Sequence, residues 1–585
     1  MSPQLPSLTT LHLPLIHRLW SSSMRGSVDR FRESLTQPKE SQIHRLRSQL
    51  ELCASSEWGR SLDLASLLSL SDPDELRSAF QSQVPIHSWE DFTPWVKRLA
   101  EEGSLNAKGD PLWSNSPLRF FEPTSGSSSA AKLIPYTEAL LEEFRATTDP
   151  WLYSMHRHAY RAHNPSGGRA YWSISPALRR ERGTPSGVRI GNDDDSSYLG
   201  PLGRWAMRQL FAVPSSVAQY TALDDWRRET LRALLRAPDL RLLSVWSPSF
   251  LGLLFDAFEG ELRHLVNELP RSRQRKISAA ERLGRTLVEA CWPQLRLLSC
   301  WVDGAAARDL LSLRRHLPRV VVEPKGLLAT EGAISLSWLD PRTTPQVEDG
   351  PLGPMLTAHR PLAINSHTLE FIDLDQPETP PRWAEELEIG KTYSPVMTTG
   401  GGLMRYELGD LVRCESFLDA TPCIIFLGKR YAVSDLRGEK LHASHVADVA
   451  QRALELRSLS ARFMILLPDQ GSSSQRPPRY TLCLDEGEWS ADPQGLYEVR
   501  ELCLTFETLL RENVHYNYAR DLGQLDPLSF CLIPQAAQWY LSEKEKSGLR
   551  LGDIKLSALD PKWQGDLSSL TQHSITESSS SRSTS

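Results

Sequence analysis

The chain has 585 residues, of which 40% are hydrophobic and 24% charged, with a formal net charge of −6. That length exceeds one ordinary core and calls for two or more domains. The ordinary globular composition and small negative charge exclude a protein that binds nucleic acid or anionic membrane through bulk charge.

The N-terminal stretch LHLPLIHRLW is interrupted by His12, His17 and Arg18, so it does not read as a signal peptide. No run approaches the roughly 18 apolar residues a spanning helix needs. The eight cysteines (Cys53, Cys291, Cys300, Cys414, Cys423, Cys483, Cys503 and Cys531) form no CxxC pair, which argues against both a zinc site and a disulfide framework. Most have apolar neighbours, as in CIIFLG (423–428). The expectation is a soluble, cytoplasmic monomer.

Residues 36–105 read as helices. ESQIHRLRSQLELCASS carries apolar residues at helical spacing, and SWEDFTPWVKRLAEE opens with Ser88, Glu90 and Asp91, suited to a helix N-terminus. Next comes FFEPTSGSSSAAKLIPYT (120–137), read as a strand, a run of small hydroxyl residues, a lysine and the start of a helix. A Ser/Gly tract is either a flexible linker or a phosphate cradle, since hydroxyls, backbone N–H groups and a lysine all suit an anion.

Strand–helix alternation follows. LRLLSVW (240–246) precedes an amphipathic helix over 248–269, and LRLLSCW (295–301) precedes a helix over 305–317 and the strand PRVVVEP (318–324). This pattern predicts an α/β fold with a largely parallel sheet covered by helices, in which the two near-identical stretches are successive strands. The basic run RSRQRKISAAERLGR (271–285) reads as a solvated helical face or loop.

Residues 366–428 are strand-rich. The polar segment 429–440 then leads to a small α+β unit: helix 442–456, strands 461–467 and 479–485, helix 494–512, strand 528–534 and helix 535–547. The expected organisation is a large domain over 1–428, a hinge at 429–440, a small domain over 441–565, and a disordered Ser/Thr-rich tail over 566–585.

Three further stretches bear on chemistry. GLLATEG (326–332) sets Thr330 beside Glu331, MRYELGD (404–410) follows the run TTGGG and ends in Asp410, and GDIKL (552–556) offers Lys555. Each alone reads as readily as a turn, a cap or a solvated charge. No serine-hydrolase elbow, Walker motif or HExxH pattern competes with them.

In this order, EPTSGSS, AKLIPYT, SVWSPSFL, KGLLATEG, TTGGGLMRYELGD and LGKRYAVSDLRGEKL resemble the Gretchen Hagen family of acyl-acid amido synthetases, within the adenylate-forming superfamily. The resemblance spans about residues 40–560. It implies a large adenylation domain and a small C-terminal α+β domain. Thr124, Ser125, Gly126, Ser127, Ser128 and Lys132 would hold ATP phosphates, with Ser129 or Ala130 where relatives commonly carry a second glycine. Thr330 would meet the α-phosphate, Glu331 would bind Mg²⁺, Asp410 would bind the ribose hydroxyls beside retained Arg405 and Tyr406, and Lys555 would approach the nucleotide. Glu407 stands where plant members usually have arginine.

The implied reaction forms acyl-AMP and pyrophosphate from a carboxylic acid and ATP, then an amide with an amine, most readily an amino acid. Trp246, Ser247, Phe250 and Leu251, at the start of a helix after a strand, are candidates for the acid pocket or for the core. The alternatives are a thioester-forming ligase that uses coenzyme A, and a non-catalytic relative that keeps the fold.

Overall fold

The computed structural model describes residues 13–106, 108–124, 132–161, 167–173, 182–191, 200–220, 222–256, 259–340, 342–344, 346–430, 433–469, 477–489, 493–546, 554, 556–563, 565, 567, 570–571 and 573–574. The described residues fall into two compact units. The first takes those up to 302 and those of 313–426; the second takes 303–312 and everything from 427 onward.

The first unit begins with two helices that the sequence reading did not anticipate, Leu13–Ser23 and Arg25–Thr36. Their buried Leu13, Ile16, Trp20, Val28, Phe31 and Leu35 recur at helical spacing and join one core with Trp151, Trp172, Leu242 and Leu297. Five helices follow, at Pro38–Cys53, Glu57–Ser61, Leu64–Leu68, Pro73–Gln83 and Trp89–Glu102. The last is capped by the Asp91 carboxylate, which accepts from the Ser88 amide at 2.8 Å.

Three sheets build the rest of the unit. In the first, β1 (Leu118–Pro123) pairs antiparallel with β2 (Leu133–Thr137), and short strands β4 (Arg182–Gly183) and β5 (Arg189–Ile190) complete it in the order β2-β1-β5-β4. Here one expectation is corrected: a strand, not a helix, follows Lys132. The helix Glu138–His156 comes after it, N-capped by the Thr137 hydroxyl. The β-pattern wins because Ile134, Pro135 and Tyr136 are buried against β1 and the core.

In the second sheet, β3 (Arg169–Trp172), β6 (Leu240–Ser244), β7 (Leu297–Cys300) and β8 (Val321–Pro324) run parallel, followed by β10 (Gly353–Leu356) and the antiparallel edge β9 (Val347–Gly350). Leu242 faces Leu297, so the two near-identical stretches are adjacent strands, and both are buried throughout, including Arg241, Ser244 and Ser299 among their leucines. The expected helix over 248–269 is helical over Pro248–Asp256 and Glu259–Asn267, with residues 257–258 outside the described residues. The basic run forms a helix, Arg271–Arg282, with only Ile277 buried.

The third sheet orders β12 (Arg382–Trp383), β11 (Thr368–Asp373), β13 (Thr392–Thr398), β15 (Asp410–Leu418) and β16 (Thr421–Lys429), with β14 (Tyr406–Glu407) against β13.

The second unit opens with the ribbon β17 (Val433–Ser434) and β18 (Leu441–His442). Helices Ala443–Leu456, Pro493–Leu510, Val514–Asp521 and Ala536–Lys546 accompany a four-stranded sheet, β19 (Met464–Asp469), β20 (Arg479–Asp485), β21 (Ser529–Ile533) and β22 (His573–Ser574). Helix Val514–Asp521 was not anticipated; the Asn513 side chain caps it by accepting from the amides of His515 and Tyr516. The tail is also corrected in part. His573 and Ser574 pair with β21, and the His573 ring stacks on Phe530 at 5.0 Å, while residues 575–585 lie outside the described residues.

All eight cysteines are buried, free thiols. Among the described residues no helix is long and apolar enough to cross a membrane.

Candidate functional site

Segments far apart in sequence meet within the first unit. Pro123 pairs with Leu133, and the Thr124 amide donates to the Lys132 carbonyl at 2.8 Å, so the two ends of the hydroxyl-rich stretch are held together. Ser125, Gly126, Ser127 and Ser128, with Ser129 and Ala130, lie outside the described residues, and so does Lys555. The Thr124 hydroxyl is buried and has no hydrogen-bond partner among the described residues, which leaves it available to an oxygen-rich ligand. Lys132 Nζ donates to the Tyr406 hydroxyl at 2.9 Å and lies 5.6 Å from the ring centroids of both Trp89 and Tyr406.

Thr330 and Glu331 are the two corner residues of a tight turn. The Ala329 amide donates to the Gly332 carbonyl at 2.9 Å, the Gly332 amide returns the bond at 3.3 Å, and Leu328 bridges Ala333 antiparallel. Two tyrosines hold the turn from outside. Tyr136 Oη donates to the Thr330 carbonyl at 2.6 Å, and Tyr406 Oη donates to Glu331 Oε1 at 3.3 Å.

Tyr406 thus links the loop lysine to the turn carboxylate. Its position is fixed by its neighbour Arg405, whose φ of 45° lies in the left-handed region that the Cβ of an L-residue disfavours. Arg405 offsets that strain with a buried, two-pronged ion pair: Nε and Nη2 each donate to Glu370 at 2.9 Å, and Nη1 donates to the Gln81 carbonyl at 2.8 Å. Burial, then the Glu331 carboxylate, push the Tyr406 phenol far above its ordinary value, and Asp410 and Glu90 act in the same direction. The hydroxyl therefore stays protonated and donates. Asp410 is itself buried at the head of β15, immediately after Gly409 with φ of 71°.

The structure therefore brings Lys132, Thr330, Glu331, Tyr406 and Asp410 into one neighbourhood, with Thr124 at the mouth of the loop. Among the described residues no group of His, Cys, Asp and Glu forms a protein cage for a metal. A lone carboxylate such as Glu331 suits Mg²⁺, which retains water and takes oxygens from phosphate.

The acid-pocket candidates separate. Leu251 is fully buried, and Phe250 packs edge-on against Trp226 at 5.5 Å, so both are core residues. Ser247 shares a hydrogen bond of 2.6 Å with Ser249. Trp246 is half-buried at the carboxyl end of β6, the side of a parallel sheet where ligands bind. Beside it is a residue the sequence reading missed. Lys325, just past β8, donates to Ser244 Oγ at 2.9 Å, and its ammonium lies 4.2, 4.7 and 5.0 Å from the ring centroids of Trp151, Trp246 and Trp172. Trp89, Tyr136, Glu143 and His367 were missed too. Trp89, Glu143 and His367 have no motif or spacing to mark them, and Tyr136 stands in the quoted stretch AKLIPYT with nothing there to show that it would meet the turn.

A parallel α/β sheet flanked by antiparallel sheets, with the Thr330–Glu331 turn held beside Lys132 and Tyr406, is the mixed α/β architecture expected of an adenylate-forming protein. Residues 27–319 match the GH3 family N-terminal domain, and residues 361–429 match the GH3 family central domain. The chain belongs to the GH3 family. A probable indole-3-acetic acid-amido synthetase of Oryza sativa subsp. japonica, GH3.2, is 23% identical over 501 residues, covering 78% of each chain. The indole-3-acetic acid-amido synthetase GH3.10 of Arabidopsis thaliana is 22% identical over 554 residues, 86% of this chain and 89% of that one. Among solved structures, a GH3.15 acyl acid amido synthetase superposes with a TM-score of 0.71 at 18% identity, covering 90% of this chain and 92% of the other. That likeness is one of fold.

Proposed function

We propose that this chain is an ATP-dependent acyl-acid amido synthetase, an acid–amino acid ligase acting as a cytoplasmic monomer. The observation that supports it most is the meeting of Lys132, the Thr330–Glu331 turn, Tyr406 and Asp410 in one unit. The names of relatives as amido synthetases agree with it, and eight unpaired buried thiols suit a reducing compartment.

The carboxylate of the acid attacks the α-phosphorus of ATP, and the bond to the bridging oxygen breaks to release pyrophosphate. Two anions must approach each other, so the donors of residues 124–128, Lys132 and Thr330 offset charge on the phosphates, and Lys555 adds to them. Glu331 would hold Mg²⁺, which when bound would neutralise charge on the phosphates. Asp410 accepts from the ribose hydroxyls, since a carboxylate has two acceptor oxygens. The acid lies along Trp246 and Ser247, with Phe250 and Leu251 supporting that wall from the core. An amine, most readily that of an amino acid, then attacks the acyl carbonyl, loses a proton and displaces AMP. No protein nucleophile is needed, because AMP is a good leaving group and positioning lowers the barrier.

The test is product identity. Purified chain, ATP, MgCl₂ and a panel of carboxylic acids should yield AMP rather than ADP, and an amide detected by mass only when amino acids are added. ADP as the nucleotide product, or a thioester with coenzyme A at a higher rate than any amide, would sink the reading.

A further inference from the structure

A buried polar network lies beneath the site, and neither the motifs nor the reaction account for it. Glu143, on the helix Glu138–His156, is 3% exposed and His367, just before β11, is 0% exposed. Glu143 Oε2 accepts from His367 Nδ1 at 2.9 Å and from the Gly400 amide at 2.8 Å, while Oε1 accepts from Gln49 Nε2 at 2.7 Å. Because a carboxylate only accepts, His367 Nδ1 carries the proton.

The other edge of the ring faces the Thr-Glu turn. His367 Nε2 is buried with no hydrogen-bond partner. A methyl group placed on Gly332 would lie 2.8 Å from it and 2.5 Å from Met397 Cε, so glycine alone lets the turn rest on the ring. A second line of contact runs the same way: Phe144 packs edge-on against His367 at 5.8 Å and stacks with Tyr136 at 5.7 Å, and Tyr136 holds the Thr330 carbonyl.

We propose that Glu143 and His367 form a positioning couple for the adenylation site: Glu143 ties the Gly400 amide to the imidazole, and the imidazole seats the Ala329–Gly332 turn that presents Thr330 and Glu331. Neither side chain touches substrate. The bland alternative is a satisfied core pair that contributes stability alone, and the couple differs from it by joining the turn that carries Thr330 and Glu331 to the glycine loop that leads into Tyr406 and Asp410. The inference rests on the adenylation reading for its effect on rate, but not for its effect on the turn.

The experiment uses the full chain and two readouts. In amide hydrogen exchange, His367→Ala should speed exchange in the peptide over 327–335 and Glu143→Ala in that over 398–404, each about tenfold, as the local openings they restrain become easier. Helix Arg271–Arg282, remote from the network, should be unchanged. In acid-dependent pyrophosphate exchange, each variant should lose kcat by about 10- to 100-fold with the KM for ATP moved less than about threefold, since misplacement penalises the reacting geometry. The double variant should fall no further than the worse single one, and His367→Asn, which restores a donor to Glu143, should recover part of the rate. Unchanged exchange at 327–335 in a folded His367→Ala protein would overturn the proposal, and so would multiplicative losses in the double variant. Absence of pyrophosphate exchange in the parent chain, with the amide-exchange pattern intact, would instead count against the adenylation reading and leave the couple supported.

Discussion

Tyr406 shows how much of this site depends on single atoms. Its hydroxyl accepts from Lys132 and donates to Glu331, so a phenol kept protonated by burial couples the phosphate loop to the turn carboxylate. Tyr406→Phe removes that link at almost constant volume. It should lower kcat/KM for ATP by about 5- to 100-fold, the equivalent of about 1–3 kcal/mol for a lost bond to charged groups, with little change in thermal midpoint. Steady-state kinetics over ATP concentration reads it; an unchanged kcat/KM would leave Tyr406 as a packing residue.

A second single-residue effect concerns pH. Burial raises the Asp149 carboxyl to about 6 from an ordinary value of 3.8, although Ser27 Oγ donates to it at 3.0 Å. Between those values the native state holds a proton that the unfolded chain releases, so this group's contribution to stability is full below about pH 4 and is lost as pH rises through 6. Burial acts oppositely on His17, lowered to about 4: its contribution is full above 6.5 and is lost as pH falls to 4. The two slopes oppose each other in the wild type. The Asp149→Asn variant should therefore gain stability relative to wild type as pH rises from 4 to 6, by roughly 1–3 kcal/mol, and hold the gain above 7. Thermal melts across that range measure the difference, and a constant offset at every pH would refute it.

At the scale of elements, the turn Ala329–Gly332 is the unit that matters. Its shape comes from a reciprocal pair of backbone bonds, and its seat from His367 and Met397 beneath Gly332. Gly332→Ala forces either the turn or the imidazole to move. Adenylation should fall by more than about tenfold, because misplacement of a reacting group by about 1 Å costs up to a hundredfold, whereas the thermal midpoint should fall by only a few degrees. A variant with full activity would show that the turn tolerates displacement.

Elements also show where sequence reading works. Buried parallel strands were legible in LRLLSVW and LRLLSCW because a short leucine-rich run followed by a helical pattern suits a strand covered on both faces. Strand β2 was misread because LIPYT is short and abuts a helix, and its partner β1 lies across the hydroxyl-rich stretch, information that no local pattern contains.

At the scale of the molecule, the motifs identified which segments converge, and the structure adds what holds them. Lys132, Thr330, Glu331 and Asp410 could be named because they stand in stretches that together resemble the family, and the resemblance implies roles toward phosphate, metal and ribose. Trp89, Glu143 and His367 could not, since a support residue is defined only by what it packs beneath, and Tyr136 and Lys325, though they stand inside the quoted stretches AKLIPYT and KGLLATEG, gave no sign there of what they would touch. The N-terminal helices are a similar case. Their apolar stripe was scanned for a signal segment, yet Phe31 meets Trp338 edge-on at 5.1 Å across more than half the chain.

The central claim is that a carboxylate oxygen of the acid attacks the α-phosphorus of ATP. It is tested most directly with an acid labelled with ¹⁸O in both carboxyl oxygens, turned over with ATP and an amino acid and followed by mass spectrometry of the nucleotide. Attack at the α-phosphorus followed by displacement of AMP by the amine predicts AMP carrying one labelled oxygen and an amide retaining the other. Unlabelled AMP, or label appearing in orthophosphate beside ADP, would contradict the account.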